Sequence, residues 1–380
     1  MSRSEFLWQS LVRLIWNHTI LLRPTWRDEY IYHHRTARNF RQYHCSYATL
    51  RLSDHPPAAP PGEEEVAEQL PLFCLRLVLS DDHLAAGFSD GSVRVFHLPT
   101  HLHLRTIHPL LRDRLGLFSR AISGIIILPR ADRLIFASLD GDVHVVSPLA
   151  GLDMARRAYL GDVVNDGALV DFAGSERFWV GLYAGVPGRA IRVWDAVSEE
   201  LLFVGGSLTD PESVMGWHML TELRPAEPVG RVRVASNELA VCSTGLRVLV
   251  LDLEAHAMVV EEAPRRGIIV GSVDAIYDVF VMVDTRGVGS VRYTRTLREV
   301  CRLDRAPLRG AQLRGLLGCM NGLYALMCAG GVVRVWDAEH GGYLYSFRER
   351  IGEVTAIASS ERHVVASADD TTIHLWDFGA

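Results

Sequence analysis

From about residue 72 onward, apolar and polar positions alternate with a period of two, and the alternation comes in repeats. Each repeat reads as a short apolar strand, a turn, a strand of small residues, a Gly or Asp turn, and an alternating third strand that ends on an aromatic or bulky apolar residue. The third strand is the clearest. It reads Val93-Arg94-Val95-Phe96, Val143-His144-Val145-Val146, Ile191-Arg192-Val193-Trp194, Val248-Leu249-Val250-Leu251, Val291-Arg292-Tyr293, Val333-Arg334-Val335-Trp336 and Ile373-His374-Leu375-Trp376. Successive copies begin 50, 48, 57, 43, 42 and 40 residues apart. Four strands recurring every ~40–45 residues predict propeller blades, here seven of them. Asp-Gly or Gly-Gly pairs at 90–91, 140–141 and 330–331 sit where a tight hairpin needs them.

Each small sheet is apolar on both faces and cannot bury them alone. Stacking the sheets in a ring covers both faces and leaves only short edges exposed. The last repeat stops at Ala380, directly after its third strand, so its outer strand must come from elsewhere. Tyr47–Leu52 alternates suitably and is predicted to supply it. Residues 1–45 follow a helical pattern instead, with Phe6, Leu7, Leu11, Leu14 and Ile15 at helical spacing beside Trp8 and Trp16. A second segment starts at Pro24 and carries Trp26, Tyr30, Ile31 and Phe40, with Arg27, Arg35, Arg38 and Arg41 as a basic face. A solvated helix face is the plainer reading of those arginines, import or adaptor contact the alternative. The expected organisation is a helical segment over 1–45, a closing strand and Pro-rich, then acidic, linker over 46–71, and an all-β propeller over 72–380.

Composition narrows the function classes. A formal net charge of −6 argues against direct nucleic-acid binding, and no apolar run approaches a membrane span. Six scattered cysteines without a CxxC pair fit reduced thiols. All 39 basic residues are arginine, a bias that GC-rich codons explain. Its consequence is chemical: no side-chain ammonium is present to accept an acyl group or ubiquitin.

Two resemblances follow from particular strings. The Trp-Asp pairs 194–195, 336–337 and 376–377 resemble WD repeats, with Leu251-Asp252 as a degenerate copy. The wider chain is similar to the plant STERILE APETALA family. The segments that carry the likeness are Thr25-Trp26-Arg27-Asp28-Glu29, His34-Arg35-Thr36-Ala37-Arg38-Asn39-Phe40, Gly161 to Ala168, Met215 to Leu220 and the tail Thr371 to Ala380. This resemblance implies an F-box ahead of a WD-repeat-like propeller, a nuclear location, and a part in flower and organ development. An F-box docks a Skp-type adaptor within a cullin-based ubiquitin ligase, and the propeller selects the target protein. Residues 2–11 resemble only the last F-box helix, with Phe6, Leu7, Trp8 and Leu11 as the adaptor-binding side chains. The leading helices with their Leu-Pro start do not precede it here, so that either the chain is truncated or this form docks the adaptor poorly. The expected role is that of the ligase's substrate-recognition subunit, its target a nuclear regulator. The alternative is a nuclear transcriptional regulator that works through protein contacts without a ligase.

Catalysis finds little support in the residues: there is no GxSxG elbow, HExxH pair or Walker loop. His97, His101, His103 and His108 cluster in sequence but lack a ligand spacing with carboxylates, so no metal and no cofactor is expected. The Asp pairs at 81–82 and 369–370 are turn chemistry. Binding is expected on the propeller rim that carries the connections between repeats. One long connection, 108–121, offers Arg112, Arg114, Phe118 and Arg120. A second, 207–218, offers Asp210, Glu212, Trp217 and His218, and Arg350 holds the matching place late in the chain. Arginine and tryptophan dominate interfaces because they combine area with directional hydrogen bonds. For any one residue a structural loop role is the stronger reading; for the rim as a whole, binding is. Arg94, Arg192, Arg292 and Arg334 recur inside third strands and are expected to pack between blades.

Overall fold

A computed structural model describes residues 3–16, 18–50, 72–108, 117–147, 155–206, 230–235, 238–244, 247–262, 270–284, 286–303 and 316–379. Two helices come first, α1 (Arg3–Trp16) and α2 (Trp26–Arg41), then strand β1 (Ser46–Leu50). The repeats follow as antiparallel meanders. The first is β2 (Cys74–Leu79), β3 (His83–Phe88), β4 (Val93–His97) and β5 (Leu102–Ile107). The second is β6 (Ile122–Leu128), β7 (Arg133–Ser138), β8 (Val143–Val146) and β9 (Arg156–Tyr159). After a short helix α3 (Val163–Asp166) the third runs through β10 (Ala168–Gly174), β11 (Phe178–Ala184), β12 (Ile191–Asp195) and β13 (Leu201–Gly205). The fourth is β14 (Gly230–Val234), β15 (Leu239–Thr244), β16 (Val248–Asp252) and β17 (Ala257–Glu262). The fifth is β18 (Val270–Ile276), β19 (Val279–Asp284), β20 (Gly289–Tyr293) and β21 (Glu299–Arg302). The sixth is β22 (Leu317–Asn321), β23 (Tyr324–Ala329), β24 (Val332–Asp337) and β25 (Tyr343–Ser346), and β26 (Val354–Ser359), β27 (His363–Ala368) and β28 (Ile373–Asp377) end the chain.

The architecture is a β-propeller whose first strands pack as a closed ring, β2 to β6, β10, β14, β18, β22, β26 and back to β2. The last three strands are completed by β1, which pairs with β28 from Ser46 opposite Asp377 to Leu50 opposite Ile373. Among the described residues, five sheets of four strands stand separately, and one sheet has eight. Seven separate blades, the number predicted from the repeat spacing, are therefore not what the hydrogen bonding draws. The second and third meanders are fused by one parallel bridge between Gly124 of β6 and Phe172 of β10. The cause is Gly124 itself: a Cβ there would lie 2.0 Å from the Phe172 carbonyl oxygen, so only glycine lets the two backbones approach this far.

The core lies between neighbouring sheets. Trp179, Trp194, Trp336 and Trp376 are fully buried there. The aspartates after three third strands bind the backbone of the turn that follows. Asp195 Oδ1 accepts from Val197 N at 2.9 Å and Ser198 N at 2.7 Å, Asp337 Oδ1 accepts from Glu339 N and His340 N, and Asp252 Oδ1 accepts from Glu254 N and Ala255 N. The pair is thus a buried plug followed by a turn-forming carboxylate, and Leu251-Asp252 serves the same purpose with a leucine plug. Of the third-strand arginines expected to pack between blades, Arg292 and Arg334 are half-buried and donate within their own repeats, to the Leu297 and Ala329 carbonyls. Arg94 and Arg192 are buried, and Arg192 donates to Tyr159 Oη at 2.7 Å and pairs with Asp166 of α3.

The ring's centre is charged and ordered. Arg76 on β2 donates to the carbonyls of Ser123 at 2.6 Å and Val170 at 2.9 Å, and its guanidinium lies 3.2 Å from Asp171 on β10. Asp171 also pairs with Arg233 on β14 at 2.8 Å, and Arg233 reaches Asp274 on β18 at 3.3 Å. Asp274 in turn accepts from Met320 N on β22 at 2.8 Å, and Ser359 of β26 donates to the Met320 carbonyl. One polar chain thus touches every first strand. Burial works against the Asp171 charge, but Arg233, Arg76 and Arg231 outweigh it and hold the carboxyl below its ordinary range. Arg231, buried beside Arg76, is pushed down to about 9.

Candidate functional site

The helical pair is seated on the propeller by α2. Thr25 caps its N-terminus by accepting from Asp28 N, and Asp28 and Glu29 lie in its first turn, where the helix dipole favours them. Trp26, Glu29, His33, Thr36 and Phe40 are its buried positions and form one stripe. Phe40 is fully buried, with ring centroids 4.4 Å from Phe378 and 4.7 Å from Tyr324. Around it, Asn39 Nδ2 donates to the Phe378 carbonyl at 3.0 Å and Tyr324 Oη to the Ala37 carbonyl at 3.2 Å, while Tyr345 Oη donates to the Phe40 carbonyl. Just beyond the helix, Tyr43 donates to the Glu349 carboxylate, which also accepts from Trp376 Nε1 at 2.8 Å. A tryptophan of the last repeat is thereby tied to the helical segment.

Helix α1 rests on α2 through Trp8 and Trp16, whose rings lie 5.0 and 5.4 Å from Tyr30. Where the chain turns between the helices, a cluster of titratable groups meets the propeller. His18 Nε2 lies 3.1 Å from Glu361 Oε1, and His33 Nδ1 lies 2.8 Å from Glu361 Oε2. His33 Nε2 faces Glu29 Oε1 at 3.2 Å, and Tyr277 Oη donates to Glu361 Oε1 at 2.8 Å. Burial opposes the Glu361 charge, yet the hydrogen bonds from His18 and His33 prevail and hold its carboxyl down at about 2. The hydrogen bond to Glu361 raises the His18 pKa despite partial burial. Burial, then Glu361, pushes the Tyr277 phenol up. Tyr277 and Glu361 stand on turns between first and second strands, and Asn321 ends β22 just before such a turn, so the helical pair sits on that rim over the last three repeats.

The connections between repeats lie on the opposite rim, where binding was expected. Of the residues assigned there, Arg112, Arg114, Asp210, Glu212, Trp217 and His218 lie outside the described residues. Phe118 falls on the short 3-10 turn Leu117–Arg120, which also places Arg120, half-buried, directly before β6; Arg350 is exposed shortly before β26. The four side chains assigned to an adaptor divide. Phe6 and Leu7 are 65% and 55% exposed, whereas Trp8 and Leu11 are half-buried, Trp8 against Tyr30. With Leu14, which is 83% exposed, Phe6 and Leu7 leave α1 an apolar outer face. Arg27, Arg35, Arg38 and Arg41 are all exposed, and Arg35 donates to the Gly379 carbonyl. The histidines near residue 100 serve local contacts, His97 with Thr100 and His103 with Thr106. The grouping of His18, His33 and Glu361 escaped the sequence reading because no spacing links positions 328 residues apart.

No family model matches the chain. Two solved structures share its fold at low identity. The computationally designed Ika8 protein has a TM-score of 0.55 and 17% identity over 80% of this chain and 83% of that one. The Cps50 (Swd1) β-propeller domain of Myceliophteria thermophila has a TM-score of 0.56 and 12% identity over 81% of this chain and 99% of that one. A far closer relative is the transcriptional regulator STERILE APETALA of Arabidopsis thaliana, 53% identical over 386 aligned residues that span all of this chain and 83% of the relative. Identity at that level along the whole propeller and both helices places the chain in the STERILE APETALA family.

Proposed function

We propose that the chain is a non-catalytic scaffold of nuclear transcriptional regulation that holds proteins on its two faces. The carrying observation is the whole-length identity to a transcriptional regulator on a propeller fold. The division of labour is argued from the geometry. The helical pair occupies one rim and presents an apolar face on α1, which leaves the rim carrying Arg120 and Arg350 for the regulated protein. A rigid scaffold with long connections is suited to such recognition. In this reading the eight-stranded sheet counts as two blades joined by the Gly124 bridge, which makes the propeller seven-bladed. The test uses a reporter gene in plant nuclei with the chain tethered at its promoter. Reporter output should change, and Arg120→Glu with Arg350→Glu should cancel the change while unfolding stays as in the parent chain. A tethered chain that enters nuclei and leaves the reporter unmoved would defeat the reading.

The receptor role in a Skp-cullin-F-box ligase is the second reading, favoured by the exposure of Phe6 and Leu7 on a helix whose other side is docked. A pull-down with a Skp-type adaptor and cullin decides it. Capture by the parent chain and loss in the folded Phe6→Asp, Leu7→Asp variant supports docking through α1. Absence of capture by the parent chain removes the ligase role and leaves the scaffold.

A further inference from the structure

The buried cluster between the helices and the propeller has a charge to balance. Glu29 is 1% exposed and Glu361 stands over the same ring. Among the described residues, the ionic partners of these two carboxylates are the imidazoles of His18 and His33. Two carboxylates and two imidazoles thus face one another in one enclosed place, a grouping of donor atoms suited to a divalent cation. The donor set is also correctly composed. His18 Nε2, His33 Nδ1 and a Glu361 oxygen all lie within 4.8 Å of one another. A tetrahedral Zn²⁺ with bonds of ~2.0–2.1 Å needs its ligand atoms ~3.4 Å apart; His18 lies 3.1 Å from Glu361 Oε1 and His33 2.8 Å from Oε2, so modest rotation of the carboxylate and the two rings brings one oxygen and both nitrogens to that spacing.

The surroundings complete the pattern. A ligating histidine normally donates its second N–H to a carboxylate, which fixes its tautomer and orientation. Glu29 Oε1 holds this place on His33 Nε2, and Glu29 is itself fixed because its Oε2 accepts from Leu22 N at 3.1 Å. The Trp16 ring, stacked 5.4 Å from His33, restrains the imidazole plane. Tyr277 Oη lies 2.8 Å from both Glu361 Oε1 and the Trp16 carbonyl and shares its one proton between them, so the carboxylate is aimed as well. From this geometry we propose that His18, His33 and Glu361 form a Zn²⁺ site, with Glu29 as the outer carboxylate and water in the fourth position. The ion staples α1 and α2 to the turn between β26 and β27, and so fixes how the apolar face of α1 is presented. The site stands or falls independently of which protein that face meets.

The experiment uses the full chain, stripped with a chelator, dialysed and titrated with Zn²⁺ alone, with Co²⁺ as a spectroscopic substitute. One equivalent of Zn²⁺ is expected to be retained, Co²⁺ should give the intense visible bands of a four-coordinate site, and the urea midpoint should rise with added Zn²⁺. Glu29→Gln should weaken binding ~10- to 100-fold, the usual effect of removing an outer partner. His18→Gln should weaken it at least as much. His18 decides the matter because it is one-third exposed in the segment between the helices, and glutamine keeps a hydrogen-bond donor for Glu361, so the fold survives. His97→Gln is the control and should bind as the parent chain does. Equal Zn²⁺ affinity in the parent and His18→Gln chains, or no stoichiometric binding by the parent, would overturn the proposal.

Discussion

Replacing Phe40 with alanine tests whether the helical pair is part of the folded unit or an appendage. The ring is fully buried, held between Phe378 and Tyr324 and close to Tyr345. An aromatic side chain of this kind buries ~150–250 Å². At ~25 cal/mol per Å² that corresponds to about 4–6 kcal/mol, an upper bound because the unfolded chain is not fully extended. Measured Phe→Ala losses in cores run ~3–5 kcal/mol, and they are largest where the site cannot collapse. Collapse is hindered here, because the neighbouring backbone is pinned by Asn39 to Phe378, Tyr324 to Ala37 and Tyr345 to Phe40 itself. The expected loss is therefore about 3–5 kcal/mol in urea-induced unfolding. Hydrogen exchange locates it: amides of α2 and β1 should lose protection first, because Phe40 anchors the chain that delivers β1 to the ring. A loss below ~1 kcal/mol, with unchanged protection of α2, would refute the packing argument.

Three further outcomes follow from the same structure. Asp171→Asn leaves the buried Arg231 and the half-buried Arg76 and Arg233 with one carboxylate fewer and should cost ~3–5 kcal/mol by urea unfolding; a change within ~1 kcal/mol would mean the central charges are not coupled. Gly124→Ala forces a Cβ into the Phe172 carbonyl and should cost ~1–3 kcal/mol while breaking the bridge between β6 and β10, so unaltered stability would contradict the fused sheet. Burial first, then the nearby Arg157, lowers the His144 pKa from 6.5 to about 4. Its folded pKa lies below the unfolded one, so stability is whole above pH ~6.5 and falls as acid protonates the unfolded chain, by about 3 kcal/mol once pH reaches ~4. Among the described residues, neither ring nitrogen of His144 has a hydrogen-bond partner. His144→Leu should therefore keep the fold and flatten the pH dependence by that amount; an unchanged pH profile would count against it.

The amino-acid pattern alone was sufficient for the propeller class. A period of two with turns at regular intervals reports which side of each strand is apolar, and that local information is what stacked sheets require. The absence of a fourth strand after Trp376 and the alternation at Tyr47–Leu52 were likewise readable, because an unpaired edge has to be filled, and β1 fills it from Ser46 to Leu50. The Trp-Asp pairs were legible because plug and turn-former are adjacent in sequence. Three features depended on the tertiary structure. Helix α1 is apolar on more than one side, and its spacing could not reveal that Trp8 and Trp16 turn toward α2 while Leu14 faces outward; contact with Tyr30 decided it. The joining of two repeats into one eight-stranded sheet depended on how closely β6 and β10 approach at Gly124. His18, His33 and Glu361 meet only because ring closure brings the last repeat under the N-terminal helices. Sequence periodicity describes the faces of elements; which distant faces meet is set by the closure of the ring.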